Sequence, residues 1–517
     1  MDFKTNMETI PISEQIYSGV QEQGVELDYI LPDYYPDIFR LVRCELSPVI
    51  TGYSVIGDKL NYELRCNIRI LYCSESGSVL QSVEQRQSFS KNVDLGKVCD
   101  SPEITLIPKT DHVNFRAVNK RRLDMRGAVS VRICVKGETS QEALSDSFGM
   151  NIQLRKIPVQ FAAKKLNGEK TIQISEDIEL SASQPDAVNV VNIRCSADEC
   201  EKKLISGKLL AKGNVDVSIL YSCENGGNGS IEPMDFTLSY SQIIDIDGLD
   251  DSFECTVIPE VISCEVTPSA DSDGKTRVMR CEIEMRLFCR AVKTASVMLV
   301  NDAFSTIYPC EITTAEINAE QKPVTIRESF RHTAVLASGD SVPDTIYSMW
   351  VIPRNINTHI DEDNRTLVVS GMLTYSMAAK DNSGTIIIPD KDEAFEQSFC
   401  LDRDLENCSV TADISANDVS YNITGDGELS VKSEIAANIT VSSADNIRVI
   451  TGISIDDSTR KQRDGDYAIK LYFGVENEDV WDIAKRYSTD VNAVMEENEI
   501  AGEKLEKGGM LLIPIVS

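Results

Sequence analysis

The chain has 517 residues, of which 42% are hydrophobic and 26% charged, and its 82 acidic and 51 basic residues give a formal net charge of −31. These are ordinary globular values, and they exclude a wholly disordered chain, a collagen and a coiled-coil fibre. The length predicts three to five domains. Because so acidic a protein repels phosphate, we expect neither a nucleic acid nor an anionic lipid surface as its partner.

The N-terminal segment and the cysteines bear on the compartment. Thr5 to Gln21 is polar, without an apolar stretch or a cleavage site of small residues, and no run in the chain approaches ~18 apolar residues. Fifteen cysteines are irregularly spaced and form no CxxC motif, which favours reduced thiols over a disulfide framework. We therefore expect a cytoplasmic protein that does not insert into a membrane.

Three landmarks recur in the same order along the chain. A Pro-Asp pair comes first, at Pro36-Asp37, Pro185-Asp186 and Pro343-Asp344. A strand that ends in tyrosine follows, at Tyr72, Tyr221 and Tyr375. A Ser-aromatic pair with an acidic-apolar close comes third, at Ser88-Phe89 with Asp94-Leu95, Ser239-Tyr240 with Asp245-Ile246, and Ser398-Phe399 with Asp404-Leu405. This recurrence predicts three tandem copies of one module, each of about 150 residues.

Each copy carries two long segments in which apolar and polar residues alternate, the period of a half-buried β-strand. The first segments are 60–72, 215–221 and 367–375, and the second are 123–133, 279–287 and 429–439. We predict a mainly β protein with three antiparallel modules, sandwich-like or open barrels, and a small α+β domain after them. The predicted bounds are 1–155, 156–312 and 313–455 for the modules, 456–467 for a polar linker and 468–517 for the last domain.

The last fifty residues have a β-α-α-β pattern, with strands at 469–473 and 511–516 and apolar residues at helical spacing in 480–487 and 491–498. This segment resembles a LysM domain. Its residues 477–487 match the family's first-helix motif, Gly-Asp-Thr-Leu-Trp-x-Ile-Ala-x-x-Tyr, and residues 508–514 match the ending Gly-Gln-x-Leu-x-Ile-Pro.

The resemblance divides the matched residues into a core and a groove rim. The core residues are Trp481, Ile483, Tyr487, Asn498, Leu511 and Ile513. The rim residues, which are the candidate protein-binding surface, are Glu476, Asn477, Glu478, Asp479, Val480, Ile500, Ala501 and Gly502. Stacking of Trp481 on a sugar ring is the alternative to its place in the core, but its helical spacing with Ile483 and Tyr487 favours the core.

Two features bear on the ligand of this segment. Asn477 replaces the family's turn glycine and can still adopt a left-handed conformation. Residues 469–514 include ten acidic and five basic residues, which argues against an anionic cell-wall glycan. Because we expect the chain to stay in the cytosol, a protein ligand is the better hypothesis. Peptidoglycan or carbohydrate binding is the alternative, and a third interpretation makes the segment a self-association domain.

Repeated β modules followed by one LysM-like segment resemble the spore coat morphogenetic proteins of the SipL family. The resemblance implies a scaffold in the mother cell that binds the coat basement-layer ATPase, stage IV sporulation protein A, through its LysM domain. It further implies contacts with other coat proteins, and a role in coat assembly and encasement at the forespore surface.

Catalytic chemistry finds little support in the sequence. The three histidines, His112, His332 and His359, are each isolated, so nucleophilic catalysis lacks candidate bases and a metal site lacks ligands. Residues 269–276 imitate a phosphate loop and a calcium loop, but each motif lacks an essential residue, and a hairpin turn explains the segment. We expect no enzyme activity, metal or cofactor.

Overall fold

The computed structural model describes residues 3–74, 80–99, 102–205, 207–225, 228–338, 342–381, 384–402, 405, 408–424, 427–462 and 469–514. The predicted mainly β class is confirmed, and the described strands pair antiparallel throughout. Three predicted features lie outside these residues in whole or in part: Asp404 of the third landmark, residues 463–467 of the linker, and the ends of the last domain at 468 and 515–517.

Module 1 consists of six strands in two sheets that enclose one core. Its strands are β1 (Lys4–Ile30), β2 (Ile38–Ile56), β3 (Lys59–Ser74), β4 (Leu80–Asp94), β5 (Glu103–Asn119) and β6 (Arg122–Phe148). The sheets have the orders β1-β6-β5 and β2-β3-β4. Alternating apolar residues of the middle strands β3 and β6 point into the shared core, for example Leu64 and Met125, both 0% exposed.

Module 2 repeats this arrangement. Its strands are β7 (Ile152–Glu179), β8 (Ala187–Ile205), β9 (Lys208–Asn225), β10 (Asn228–Asp245), β11 (Glu254–Ser269) and β12 (Val278–Ser305). The sheets have the orders β7-β12-β11 and β8-β9-β10.

Module 3 differs at its first strand, which is divided in two. Its strands are β13 (Cys310–Glu320), β14 (Val324–Ser338), β15 (Thr345–Ile360), β16 (Thr366–Lys380), β17 (Ile386–Ile387), β18 (Asp390–Cys400), β19 (Cys408–Ile423) and β20 (Glu428–Ile455). Both β13 and β14 pair with β20. The interruption ends at Pro323, which has no backbone N–H to give to the ladder.

The three modules meet in a common centre. The long strands β6, β12 and β20 extend beyond their own sandwiches and contact one another in all three pairs. Equivalent apolar residues of the three copies form one buried cluster there, namely Ile10, Val159 and Ile317 from the first strands and Ala143, Leu299 and Val449 from the last. The modules are therefore arranged around a pseudo-threefold axis rather than as independent domains in a row.

The C-terminal unit follows irregular residues 456–462 and has the order β21 (Ile469–Gly474), α1 (Val480–Tyr487), α2 (Val491–Glu497) and β22 (Gly509–Pro514). Strands β21 and β22 pair antiparallel. The module boundaries drawn from the sequence after residues 155 and 312 fall inside β7 and β13, whereas the loops between modules are residues 149–151 and 306–309.

Candidate functional site

The recurring landmarks are structural contacts. In module 1 the Tyr72 hydroxyl donates to the Pro36 carbonyl oxygen at 3.0 Å. Arg121, which directly precedes β6, donates to the Asp37 carboxylate at 2.6 Å and to three backbone carbonyls between residues 31 and 35. In module 1 the Pro-Asp pair and the tyrosine therefore close one turn onto the core.

Module 2 closes its turn in the same way. Tyr221 donates to the Pro185 carbonyl at 3.4 Å, and Arg277 donates to Asp186 at 2.9 Å and to three backbone carbonyls. Burial raises the pKa of Tyr221 to about 12. Sequence reasoning missed both arginines, although each stands one residue before the closing strand of its module and could have been found by aligning the repeats there.

Module 3 holds its tyrosine differently. The Tyr375 hydroxyl lies 2.8 Å from His332 Nδ1 and 2.8 Å from Ser433 Oγ. The residue before β20, which corresponds to the arginines, is Gly427 with φ 74°. His332 is therefore part of a half-buried structural contact.

Several cysteines occupy buried positions in the strands. None of the fifteen, all of which fall within the described ranges, forms a disulfide. Burial raises the pKa of Cys66 to about 11 and that of Cys44 to about 12. A thiol with so high a pKa is neutral at neutral pH and is a poor nucleophile.

The two rim loops of the C-terminal unit lie side by side. Asn477 N donates to the Leu505 carbonyl at 2.8 Å, and Leu505 N donates to the Glu478 carbonyl at 3.0 Å. Val480 N donates to the Glu503 carbonyl at 2.9 Å. Asn477 adopts the left-handed conformation allowed by its short polar side chain, with φ 66°.

The acidic rim residues are largely engaged within the chain. Glu478 accepts from the Tyr472 hydroxyl at 2.6 Å, and this hydrogen bond raises the pKa of Tyr472. Asp479 caps α1 by accepting from Trp481 N at 2.9 Å, and it also lies 2.8 Å from Arg155 Nη2 of β7. Among the rim acids only Glu476 is an exposed side chain.

The remaining rim residues divide between surface and interior. Val480 is 1% exposed, so its assignment to the contact surface is wrong: the residue after the Asp479 cap begins α1 and points into the core. Ile500 is half-buried, while Ala501 and Gly502 are exposed. The accessible part of the predicted rim is therefore small and is formed by Glu476, Asn477, Ala501 and Gly502.

The predicted core residues pack as one cluster. Trp481, Ile483, Leu511 and Ile513 are at most 8% exposed, and Tyr487 packs half-buried against them. Asn498 ties α2 to β22, because its Nδ2 donates to the Val494 and Leu512 carbonyls and its Oδ1 accepts from Leu512 N.

The core of the C-terminal unit also includes a residue of module 2. The Trp481 ring lies edge-on to Phe304 of β12 at a centroid distance of 5.0 Å, and its Nε1 donates to Asp302 at 2.7 Å. Lys485 Nζ lies 2.7 Å from both Asp302 oxygens. Sequence reasoning missed this interface, since nothing local distinguishes Asp302 or Phe304 from other strand residues.

The sheet of the C-terminal unit presents an apolar face that is exposed, here called the β21–β22 face. Its strongly exposed members are Ile469, Leu471, Phe473, Val475 and Met510, which are 47% to 67% exposed. The register places Leu471 opposite Leu512 and Phe473 opposite Met510, so these side chains form a continuous patch. Such a patch marks an interaction surface more often than an accident of composition.

A shallow depression of about 380 Å³ lies beside this unit's second helix. Its lining residues are Asn492, Met495, Glu496, Glu499, Ile500 and Ala501. Two acidic residues and one methionine offer no convergent set of catalytic groups.

None of the described helices has the length and apolar character needed to cross a membrane. A family model described as SipL, SPOCS domain, matches residues 37–118 and 169–269, which lie in modules 1 and 2. No curated protein matches the chain. The two matched segments contain the sheets β2-β3-β4 and β8-β9-β10, so modules 1 and 2 are similar to the SPOCS domain of the SipL family, which associates the chain with sporulation.

Proposed function

We propose that the protein is a non-enzymatic scaffold of spore morphogenesis that works in the mother cell and is recruited to the forespore surface. Its C-terminal unit, interpreted as a LysM domain, binds the coat basement-layer ATPase, stage IV sporulation protein A. The three modules form a rigid body for further coat proteins, so that the chain promotes coat assembly and encasement.

The observation that carries this proposal is the β21–β22 face, because an exposed apolar patch at the end of a stable body suits a protein partner. Phe473 and Leu471 are 67% and 62% exposed, and both stand beside the rim loop that contains Glu476. The partner surface that fits is apolar at its centre, with basic residues facing the rim.

Glycan binding has less support. The aromatic ring best suited to stack on a sugar, Trp481, is 7% exposed and packs on Phe304. The accessible rim contributes one acidic side chain and no basic one.

A co-purification experiment with the full-length chain and the purified ATPase tests the proposal. We expect retention at micromolar concentrations, and a loss of at least ~10-fold in affinity for the double variant Leu471→Ser and Phe473→Ser. Ile56→Ser is the matched control, since Ile56 is a 71% exposed apolar residue of module 1. Failure of the wild-type chain to retain the ATPase, or co-sedimentation with purified peptidoglycan instead, would contradict the proposal.

A further inference from the structure

The contact between the C-terminal unit and module 2 identifies the chemistry of a docking site. Asp302 accepts from both Trp481 Nε1 and Lys485 Nζ, each at 2.7 Å, and Phe304 packs edge-on against the Trp481 ring. Phe304 is only 3% exposed, because the C-terminal unit of the same chain covers it. The site thus combines an aromatic platform with a carboxylate two residues before it on the same strand face.

Polar groups of β7 extend this site on both sides. Gln153 Nε2 donates to Asp490, the cap of α2, at 2.8 Å. Arg155 Nη2 lies 2.8 Å from Asp479, the cap of α1. The acidic helix caps of the C-terminal unit therefore face donor side chains on the first strand of the module.

Module 1 carries the same pattern at the equivalent position. Residues 144–148 of β6 read Leu-Ser-Asp-Ser-Phe, and residues 300–304 of β12 read Val-Asn-Asp-Ala-Phe. The leading apolar residues of both segments are buried at the centre of the three modules. Asp146 and Phe148 are thus the counterparts of Asp302 and Phe304.

The copy in module 1 differs in one respect, which is that its aromatic platform is exposed. Phe148 is 54% exposed, whereas its counterpart is almost fully covered. Asp146 lies 3.0 Å from Lys156, and the side chain of Asp146 keeps 31% of its surface accessible.

The first strand of module 1 supplies donors in the same register. Lys4 pairs with Phe148 across the ladder, and Asn6 pairs with Asp146, as Gln153 and Arg155 pair with the counterparts in module 2. Module 3 lacks the pattern, because its equivalent residues are Gly452 and Ser454. The site is therefore present twice in the chain, and the C-terminal unit of the same chain covers the copy in module 2.

We propose that Asp146 and Phe148 form a second docking site, and that its occupant is the C-terminal unit of another copy of this chain. Trp481 of the second copy packs on Phe148, and its Lys485 pairs with Asp146. The contact is heterologous, since the two copies use different surfaces, so it links copies into rings or open chains. Such assembly does not depend on the identity of the ATPase partner.

Docking within the chain competes with docking between chains. A short linker gives the intramolecular contact an effective concentration in the millimolar range, so association of wild-type chains is expected to be weak at ~10 µM. Weakening the site in module 2 while leaving the C-terminal unit intact should release that unit and strengthen association.

Sedimentation velocity over ~1 to ~100 µM tests this with full-length variants. Asp302→Ala is expected to tighten self-association at least ~10-fold. Adding Phe148→Ala should reverse that gain, whereas adding Ser454→Ala, the matched change in module 3, should not. Phe148 and Ser454 are both exposed, so neither change threatens folding.

Lys485→Ala supplies a second discriminating variant. Like Asp302→Ala, this change breaks the ion pair between Lys485 and Asp302 and should release the C-terminal unit. It also removes the lysine that would pair with Asp146 of another copy. We therefore expect release of the unit without tighter self-association. The proposal is overturned if Asp302→Ala stays monomeric at ~100 µM, or if the association persists with Phe148→Ala or occurs equally in Lys485→Ala.

Discussion

Modules 1 and 3 have the same tyrosine at the same place in the same strand, and they satisfy its hydroxyl in different ways. Tyr72 donates to a backbone carbonyl, that of Pro36. Tyr375 instead lies within hydrogen-bond distance of two side chains, His332 and Ser433. The tyrosine therefore occupies the same position in both modules, but its hydrogen-bond partners differ because the surrounding residues differ.

The residue that precedes the last strand of each module also differs between module 3 and the other two modules. Arg121 and Arg277 bind the Pro-Asp turns of modules 1 and 2, whereas module 3 has Gly427 at that position. The segments matched by the SPOCS model, 37–118 and 169–269, belong to the two modules with the arginine. Module 3 has the same architecture, but its tyrosine is held by the side chains of His332 and Ser433 rather than by the Pro-Asp turn.

The largest expected effect on this comparison comes from Arg277→Ala. The guanidinium satisfies Asp186 and three backbone carbonyls, and its side chain is 24% exposed, so its loss leaves several acceptors without a donor. We expect a loss of about 2 to 3 kcal/mol in the free energy of unfolding, measured by urea denaturation.

Arg280→Ala is the matched control for this experiment. Arg280 stands three residues further along, and its ion pair with Asp177 is half-exposed on both sides, so its removal should leave the stability nearly unchanged. Equal losses of unfolding free energy in the two variants would show that the turn contact contributes no more to stability than an exposed ion pair.

A smaller difference is expected between two tyrosine variants. Tyr375→Phe deprives His332 and Ser433 of a shared partner, and Ser433 is 2% exposed, so we expect a cost of about 2 kcal/mol. Tyr72→Phe removes one hydrogen bond to a carbonyl and should cost about 1 kcal/mol. Thermal denaturation of both variants measures the difference, and a larger cost in module 1 would reverse the comparison.

Much of the fold could be predicted from the sequence, because alternation of side chains reports directly on a two-sided strand. This pattern predicts strands at residues 60–72, 215–221 and 367–375, which lie in β3, β9 and β16. The central packing of the three modules could not be predicted. Leu299 belongs to the apolar run 297–300, which many buried strands contain, and only the folded structure shows that it packs against residues of the other two modules.

The candidate site shows the same limit. Helical spacing correctly placed Trp481 in a core, but the sequence gives no sign that Asp302 and Phe304 complete that core. The loop motif predicts Val480 on the rim, whereas in the structure this residue follows the Asp479 cap and is buried. Contacts between residues far apart in the chain escape any argument from local pattern.

The smallest expected effect is the pH dependence of the same tyrosines. Burial raises the pKa of Tyr221 to about 12, above the value near 10 of an unfolded chain. Its contribution to stability is therefore complete below pH 10 and is lost as the pH rises through 12. Burial also raises the pKa of Tyr375, but the hydrogen bond with Ser433 acts in the opposite direction.

Unfolding by urea at about pH 9 and about pH 10.5 tests this difference in the wild-type chain, Tyr221→Phe and Tyr375→Phe. We expect Tyr221→Phe to remove up to about 1 kcal/mol of the alkaline loss seen in the wild type, and Tyr375→Phe to remove less. The absorbance of tyrosinate gives an independent measurement, since Tyr221→Phe should delete a transition near pH 12. Identical alkaline losses in the two variants would mean that the contact of Tyr375 with His332 and Ser433 gives this tyrosine the same electrostatic environment as the arginine-bound turn gives Tyr221.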